Sequence, residues 1–298
     1  MTHVSVLLHE SIDSLNIQKG DIYVDGTLGG GGHFEEVAKR FGNDVVMIGI
    51  DLDPEAIVRT KKRLTSYSLR QVHYVQDSFK NIGRILESLN ISKVDKILLD
   101  IGLSSNQFEE SGRGFSFQKN EPLLMTFKKD ITEEDLTARE IVNTWDLENI
   151  VAILRGYGEE EFAWKIAKAI VARREERPIE TTFDLVEIIK IATPKWYHSR
   201  RIHPATKTFQ ALRITVNNEI ENLKQALRDG FEKLNPKGRI AVISFHSLED
   251  REVKNFFRDK DDEGLGKRIN KKPILPSEQE INENPRSRSS KLRILEKI

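Results

Sequence analysis

Residues 21–54 read DIYVDGTLGGGGHFEEVAKRFGNDVVMIGIDLDP, and this stretch decides the fold. Ile22 to Val24 suits a β-strand, Gly26 to Gly32 is a glycine-rich turn, and about Phe34 to Phe41 is spaced as a helix. Val45 to Ile50 is a second strand, which ends on Asp51. The four consecutive glycines, Gly29 to Gly32, carry too large an entropy cost for a casual loop. They let backbone approach a ligand at a helix N-terminus, where amides lack helical partners. An acid about twenty residues later, at the end of the next parallel strand, is where a ribose hydroxyl pair is usually gripped. The stretch therefore predicts an adenosine-containing cofactor.

The surrounding charges bear on which one. A pyrophosphate favours amides without a nearby carboxylate, yet Asp25 immediately precedes the loop and no Lys or Arg lies between Lys19 and Lys39. No GK[ST] follows the glycines, which excludes a P-loop, and Phe34 stands where a strict G-x-G-x-x-G would close. S-adenosyl-L-methionine carries a cationic sulfonium and ammonium that a carboxylate favours. On the loop alone a nicotinamide dinucleotide stays open, as does a tight turn without ligand.

With 298 residues the chain can form one large core or two domains, and its 38% hydrophobic and 32% charged residues suit a globular protein. It contains no cysteine, which removes disulfides, thiolate zinc sites and a cysteine nucleophile and fits a reducing compartment. No stretch reads as a signal peptide or membrane span, so a cytoplasmic location without membrane contact is expected. The seven histidines lack zinc-site spacing, so no metal site is expected. The zero net charge conceals asymmetry: residues 130–160 hold nine acids and two bases, and residues 267–298 hold nine bases and four acids. The basic end is compatible with a phosphate backbone or with a solvated surface.

Further strands are predicted at Val72 to Val75 and Val94 to Ile101, with helices from Pro54 to about Leu64 and about Ile82 to Leu89. This alternation without hairpin signals predicts an α/β fold with a doubly wound parallel sheet. Ligands of such sheets bind beyond the carboxyl ends of the strands, where Asp25, Asp51, Asp77 and Asp100 all fall. Four acids there point to a site, because carboxylates buried without partners are costly.

From Gly112 to Arg201 the pattern is helical, with capping-box spacing at Thr137–Glu140 and Thr181–Asp184. The predicted organisation is a sheet domain of residues 1–111 and 202–298, interrupted by an inserted helical domain of residues 112–201. After it come a long helix from Thr206 to about Leu227, a turn at Asn235 to Gly238, a fifth strand at Arg239 to Ser244, and an edge strand at residues 291–297. The run Lys195 to Lys207, KWYHSRRIHPATK, interleaves bases with aromatics, which suits either phosphate and base contacts or a polar linker.

Nine stretches spread over nearly the whole chain resemble the bacterial small-subunit ribosomal RNA cytosine-N4 methyltransferases: HVSVLLHE, DGTLGGGGH, IDLDPEAI, DIGLSSNQF, RGFSF, GYGEEEFAWKIAKAI, HPATKTFQALRITVNNE, ISFHSLEDR and NPRSRSSKLR. The resemblance implies a Rossmann-like methyltransferase sheet with a helical insert that helps recognise RNA. It implies S-adenosyl-L-methionine as cofactor and 16S ribosomal RNA as partner, within the small subunit, with a cytidine of the decoding region as target. Carried over, Gly31, Gly32 and His33 line the donor, Asp51 takes the ribose hydroxyls, Phe79 lies against adenine, and Asp100 and Gln107 complete the pocket. Family members usually read PLDMRM after FSF, whereas this chain has Leu124 in place of the aspartate and Thr126 in place of the arginine. If that pair contacts the target cytidine in relatives, this chain recognises it differently; loss of both members together suits instead a structural ion pair replaced as a unit.

The absence of cysteine removes the covalent thiolate route to pyrimidine C5, leaving N- or O-methylation. The target base must leave its stack to reach the pocket. Asp100 is the candidate catalytic contact for the cytosine amine, although binding the donor's ammonium accounts for it somewhat better. His246 is the other candidate proton acceptor, and helix capping is its alternative role. Two other functions compete: a nicotinamide-dependent oxidoreductase, and a non-catalytic RNA-binding or ribosome-assembly protein retaining the fold. The oligomeric state is not readable.

Overall fold

Ile22–Asp25 (β1), the glycine turn, Gly32–Phe41 (α2) and Val46–Asp51 (β2) form the predicted strand–turn–helix–strand unit, with β1 and β2 parallel. The computed structural model describes residues 5–67, 69–102, 111–128 and 130–298. A short helix, Leu8–Leu15 (α1), precedes β1. Asp53 caps Pro54–Arg63 (α3) by accepting from the Glu55 amide at 3.0 Å, and Pro54 brings a preset φ to the first turn. Val72–Gln76 (β3), Ile82–Ser88 (α4) and Val94–Asp100 (β4) follow.

With Leu234–Ser244 (β5), Gly266–Arg268 (β6) and Lys291–Lys297 (β7), the strands among the described residues form a seven-stranded sheet in the order β3-β2-β1-β4-β5-β7-β6. Strands β1 to β5 are mutually parallel, whereas β7 runs antiparallel to β5 and to β6. The chain leaves β1 towards β2 and β3, then returns to place β4 on the other side of β1. That reversal makes the crevice above β1 and β4 the topological switch point. One sheet face packs Ile12 and Leu15 of α1 with Phe34 and Val37 of α2. The opposite face packs Ile85 of α4, Leu223 of Glu219–Lys233 (α11) and Val253 of Ser247–Asp262 (α12). Apolar residues on both faces explain why these strands read as continuous hydrophobic runs.

Three local expectations are corrected. The segment at residues 291–297 is not an edge strand: β6 pairs along its outer side, so β7 is interior. Asn235 to Gly238 does not end at a turn but belongs to β5, where the register against β4 shifts between Val94 and Lys96. This irregularity absorbs the Pro-Lys-Gly residues without ending the pairing. The long helix predicted from Thr206 breaks at Asn218, whose φ of 51° is left-handed, into Thr206–Asn217 (α10) and α11. Asparagine tolerates that conformation better than most residues with a side chain.

The chain divides into two compact units, residues 1–102 with 220–298, and residues 103–219. Helix α10 thus falls in the second unit, although the pattern placed it with the sheet. Its Phe209, Ala211 and Leu212 join the helical core of Ala138–Thr144 (α5), Leu147–Gly156 (α6), Ala163–Glu176 (α7) and Thr182–Ala192 (α8). The two predicted caps are formed there. Thr137 accepts from the Glu140 amide, and Thr181 exchanges hydrogen bonds with Asp184 in a capping box. No helix among the described residues is long and apolar enough to cross a membrane.

Candidate active site

The end of β1 is built around Asp25, which is 1% exposed and accepts from the Thr27 amide at 3.0 Å. The Tyr23 hydroxyl lies 3.4 Å from the same carboxyl. Burial pushes the Asp25 pKa up to about 7, with a smaller push from the Asp51 charge. At the end of β4, Asp100 is raised to about 7 by burial first and by Asp25 and Glu249 second, while the Gly102 amide opposes the rise. The amide of Asp100 donates to Thr27 Oγ1 at 2.7 Å, which ties the two strand ends together.

Asp51 ends β2 and accepts from the amides of Gly29 and Asp53, each at 2.8 Å. Burial again raises its pKa. Beyond β3, Asp77 behaves differently. It accepts from the Ser78 amide and Asn81 Nδ2 at 2.7 Å and from Arg84 at 2.9 Å, contacts that hold its pKa down against burial. The sequence grouped four acids at this edge; three have raised pKa values, Asp25 fully buried and Asp51 and Asp100 half-buried, and Asp77 is committed to its own turn.

The glycine loop spends its amides internally. Gly26 donates to Leu98 O, Thr27 to Asp25, Leu28 to Ile50 O, Gly29 to Asp51 and Gly31 to Leu28 O. Gly31 has a φ of 76°, and a Cβ there would meet Thr60 Oγ1 at 2.6 Å. His33, on the first turn of α2, is buried. Its Nε2 lies 3.1 Å from the Val6 carbonyl and its Nδ1 4.0 Å from Asp100 Oδ2. A Cβ at Gly26 would meet Phe79 Cβ at 3.3 Å, so Phe79 stands beside the loop. The sheet edge therefore brings together Gly31, Gly32, His33, Asp51, Phe79 and Asp100; Gln107 lies outside the described residues.

Sequence reasoning missed Arg63, whose Nη1 donates to the Gly30 carbonyl at 2.8 Å while its Nε pairs with Glu35. No local pattern signals a contact spanning 33 residues. His246 takes its capping role: it is the N-cap of α12, in a box with Glu249.

This site fits a cationic donor better than a diphosphate. The amides of Gly26 to Gly29 and of Gly31 already have partners, and carboxyls, which would repel a phosphate, gather at the same edge. A metal cluster is not needed to explain these acids, since each has protein donors.

In the helical unit, the KWYHSRR run divides by burial. Tyr197 of Lys195–His198 (α9) is buried and donates to Glu160 Oε2 at 2.9 Å, whereas Trp196 is 54% exposed. The Arg200 guanidinium lies 4.7 Å from the Trp196 ring centre, and Phe162 meets that ring edge-on at 5.7 Å. His203 stacks on Phe117 at 4.4 Å, and burial followed by the charges of Lys190 and His198 lowers its pKa. Met125 adopts a φ of 56° within the atypical Leu124–Thr126 stretch. Asn217 holds that turn, donating to Met125 O at 2.7 Å and accepting from the Phe127 amide at 2.8 Å.

A sheet of this order, with a glycine loop, an acid closing β2 and buried carboxyls closing β1 and β4, defines a Rossmann-like methyltransferase. The chain belongs to the MraW methylase family, whose model matches residues 1–298. Ribosomal RNA small subunit methyltransferase H of Clostridium botulinum (strain Kyoto / Type A2) is 48% identical over 311 aligned positions, covering 99% of each chain. The protein of the same name from Lachnospira eligens is 44% identical, covering 99% of this chain and 98% of the relative. An rRNA methylase structure from Streptococcus thermophilus superposes with a TM-score of 0.48 at 11% identity over 99% of both chains.

Proposed function

We propose that this protein transfers a methyl group from S-adenosyl-L-methionine to N4 of a cytidine in the decoding region of 16S ribosomal RNA. The observation that carries the cofactor half is the gathering of the carboxyls of Asp25, Asp51 and Asp100, all with raised pKa values, beside a glycine loop most of whose amides already have partners. The RNA half rests on full-length relatives at 44% to 48% identity that carry a small-subunit ribosomal RNA methyltransferase name. The exposed Trp196–Arg200 stack supplies a surface suited to bases and phosphates.

In this reading the sheet unit, residues 1–102 with 220–298, holds the donor and the helical unit, residues 103–219, helps recognise RNA. Asp51 binds the ribose hydroxyls, Phe79 lies against the adenine, Gly31, Gly32 and His33 line the donor, and Gln107 completes the pocket. Asp25 and Asp100 offer negative charge to the donor's cationic end. When bound, the cofactor supplies an electrophilic methyl that the cytosine amine takes up as the sulfur–carbon bond breaks and the sulfur becomes a neutral thioether. The amine's lone pair is delocalised into its ring, so the chain must orient it and take a proton from it. Asp100 is the proton acceptor: a carboxyl raised to about 7 can hold the released proton near neutral pH. Thr27 and Gly102, hydrogen-bonded to its amide and carboxyl, fix its direction. A small ribosomal subunit as substrate goes with a cytoplasmic location, which is part of the proposal.

The test is transfer of labelled methyl groups into small subunits from a strain lacking the gene, with the modified nucleotide mapped by mass spectrometry. One N4-methylcytidine in the decoding region is expected. Tight subunit binding without transfer would leave an assembly protein in place of an enzyme.

A further inference from the structure

The N-terminal segment crosses the glycine loop. A Cβ on Gly32 would clash with Ser5 Oγ and crowd its Cβ at 3.1 Å, so the glycine gives Ser5 its room there. The next residue, Val6, offers its carbonyl to His33 Nε2 at 3.1 Å. A carbonyl oxygen only accepts, so Nε2 carries the hydrogen. In the neutral ring Nδ1 is then the unprotonated nitrogen, and it is the one facing Asp100 Oδ2 at 4.0 Å. Val6 thereby selects the tautomer of a residue at the donor site.

Leu7 then turns the chain into α1 in a left-handed conformation, with φ 50° and ψ 39°. A leucine there is strained and persists only where surrounding contacts enforce it. The enforcing contact comes from the far end of the chain: the Leu7 amide donates to Glu280 Oε1 at 2.7 Å, across 273 residues. Glu280 lies on Glu278–Glu283 (α13), where Ser277 caps the helix by accepting from the Glu280 amide. This tail is anchored to β7 through the Ile274–Leu292 bridge, and Leu292 shares a core with Val6, Leu7 and Phe34. An unbroken series of contacts thus runs from α13 through Glu280, Leu7 and Val6 to His33.

We propose that Glu280 is a positioning residue for the donor site, holding the Ser5–Leu7 strap on the glycine loop so that Val6 fixes the orientation and tautomer of His33. The proposal rests on His33 lining the donor. Its role is to accept a hydrogen bond, so a neutral acceptor of the same length replaces it.

The test uses the full chain, comparing wild type with E280A and E280Q. Two quantities are read: the imidazole nitrogen shifts of His33 by 15N NMR, and the affinity for S-adenosylhomocysteine by calorimetry. In E280A the two nitrogens move towards averaged tautomer values, and the Kd rises on the order of tenfold, the scale of one buried acceptor removed. The kcat at saturating donor stays within about twofold, because no reacting group is removed. E280Q retains wild-type shifts and affinity. Should E280A fold poorly, Glu280→Met keeps length and apolar packing without an acceptor and carries the same expectation. A folded E280A or E280M with unchanged His33 shifts and unchanged Kd overturns the proposal. Altered shifts in a protein that never binds the ligand would uphold the strap and reject the donor reading.

Discussion

Asp51 Oδ2 accepts a hydrogen bond from the Gly29 amide at 2.8 Å, so the acid that closes β2 also ties down the glycine loop after β1. Its second oxygen accepts from Asp53 at the same distance, which orients the carboxylate along the carboxyl edge of the sheet. A residue with both duties loses both when truncated. D51A is expected to weaken S-adenosylmethionine binding about 100-fold, combining the missing grip on the ribose with a loosened loop. A donor analogue lacking both ribose hydroxyls separates the two parts. It should bind wild type weakly and lose little further affinity in D51A. An equally large loss with both ligands, read by calorimetry, would assign Asp51 to the loop alone.

Asp25 and Asp100 set a pH dependence whose sign can be worked out. Both are raised to about 7 from an ordinary value of 3.8, chiefly by burial, and they act on each other. Between those values the folded chain binds more protons than the unfolded chain. Their contribution to stability is therefore complete below the unfolded value near 4 and is lost as pH rises through about 7. The melting temperature of the ligand-free protein should fall between about pH 4 and pH 7 and level off above that, and D25N should flatten the fall. Binding a cation favours the ionised pair, so S-adenosylmethionine should bind with proton release near pH 6.5, about the lower flank of that titration. Binding enthalpies measured in buffers of different ionisation heat read this directly. Identical enthalpies across buffers would mean the pair does not ionise on binding.

These two residues also mark how much was legible in the sequence. The strand–turn–helix–strand unit was readable because each segment carries a local periodicity and the glycines punctuate it. Asp25, Asp51 and Asp100 could be placed at the carboxyl edge from strand ends alone. Their side-chain partners could not, and these distinguish Asp100 from Asp77, whose partners Asn81 and Arg84 lie on the next turn and helix. Contacts that join distant segments, such as Arg63 on Gly30 or Glu280 on Leu7, leave no periodic trace. The break at Asn218 was hidden because the flanking residues continue a helical pattern on both sides. The position of β7 inside the sheet depends on β6, a three-residue strand too short to announce itself.

Gly31 combines a left-handed φ of 76° with a Thr60 side chain 2.6 Å from the place a Cβ would occupy. G31A therefore meets both backbone strain and a clash, together about 2–3 kcal/mol. Denaturant unfolding should show that loss, and the donor Kd should rise because the loop must shift. Thr60→Ala combined with G31A removes the clash but leaves the strain, so the double variant should recover part of the stability. No recovery would mean the φ requirement alone sets the cost.

Trp196 is the side chain whose removal separates RNA recognition from donor binding. Its ring is half exposed on α9, carries Arg200 over it at 4.7 Å, and leaves the buried work of the segment to Tyr197. W196A should cost about 1–3 kcal/mol in affinity for a small-subunit RNA fragment, the usual worth of one stacked base. Neutralising exposed Lys195 or Arg201 should weaken binding across sequences and reduce the salt slope by about one for each phosphate that is no longer neutralised. Donor affinity should remain unchanged in all three variants, because none of these residues belongs to the glycine loop or to the acids that close the strands. Filter binding at several salt concentrations, beside donor calorimetry, makes the comparison. Wild-type RNA affinity in W196A would return this ring to the role of a surface side chain, and RNA recognition would have to reside elsewhere on the chain.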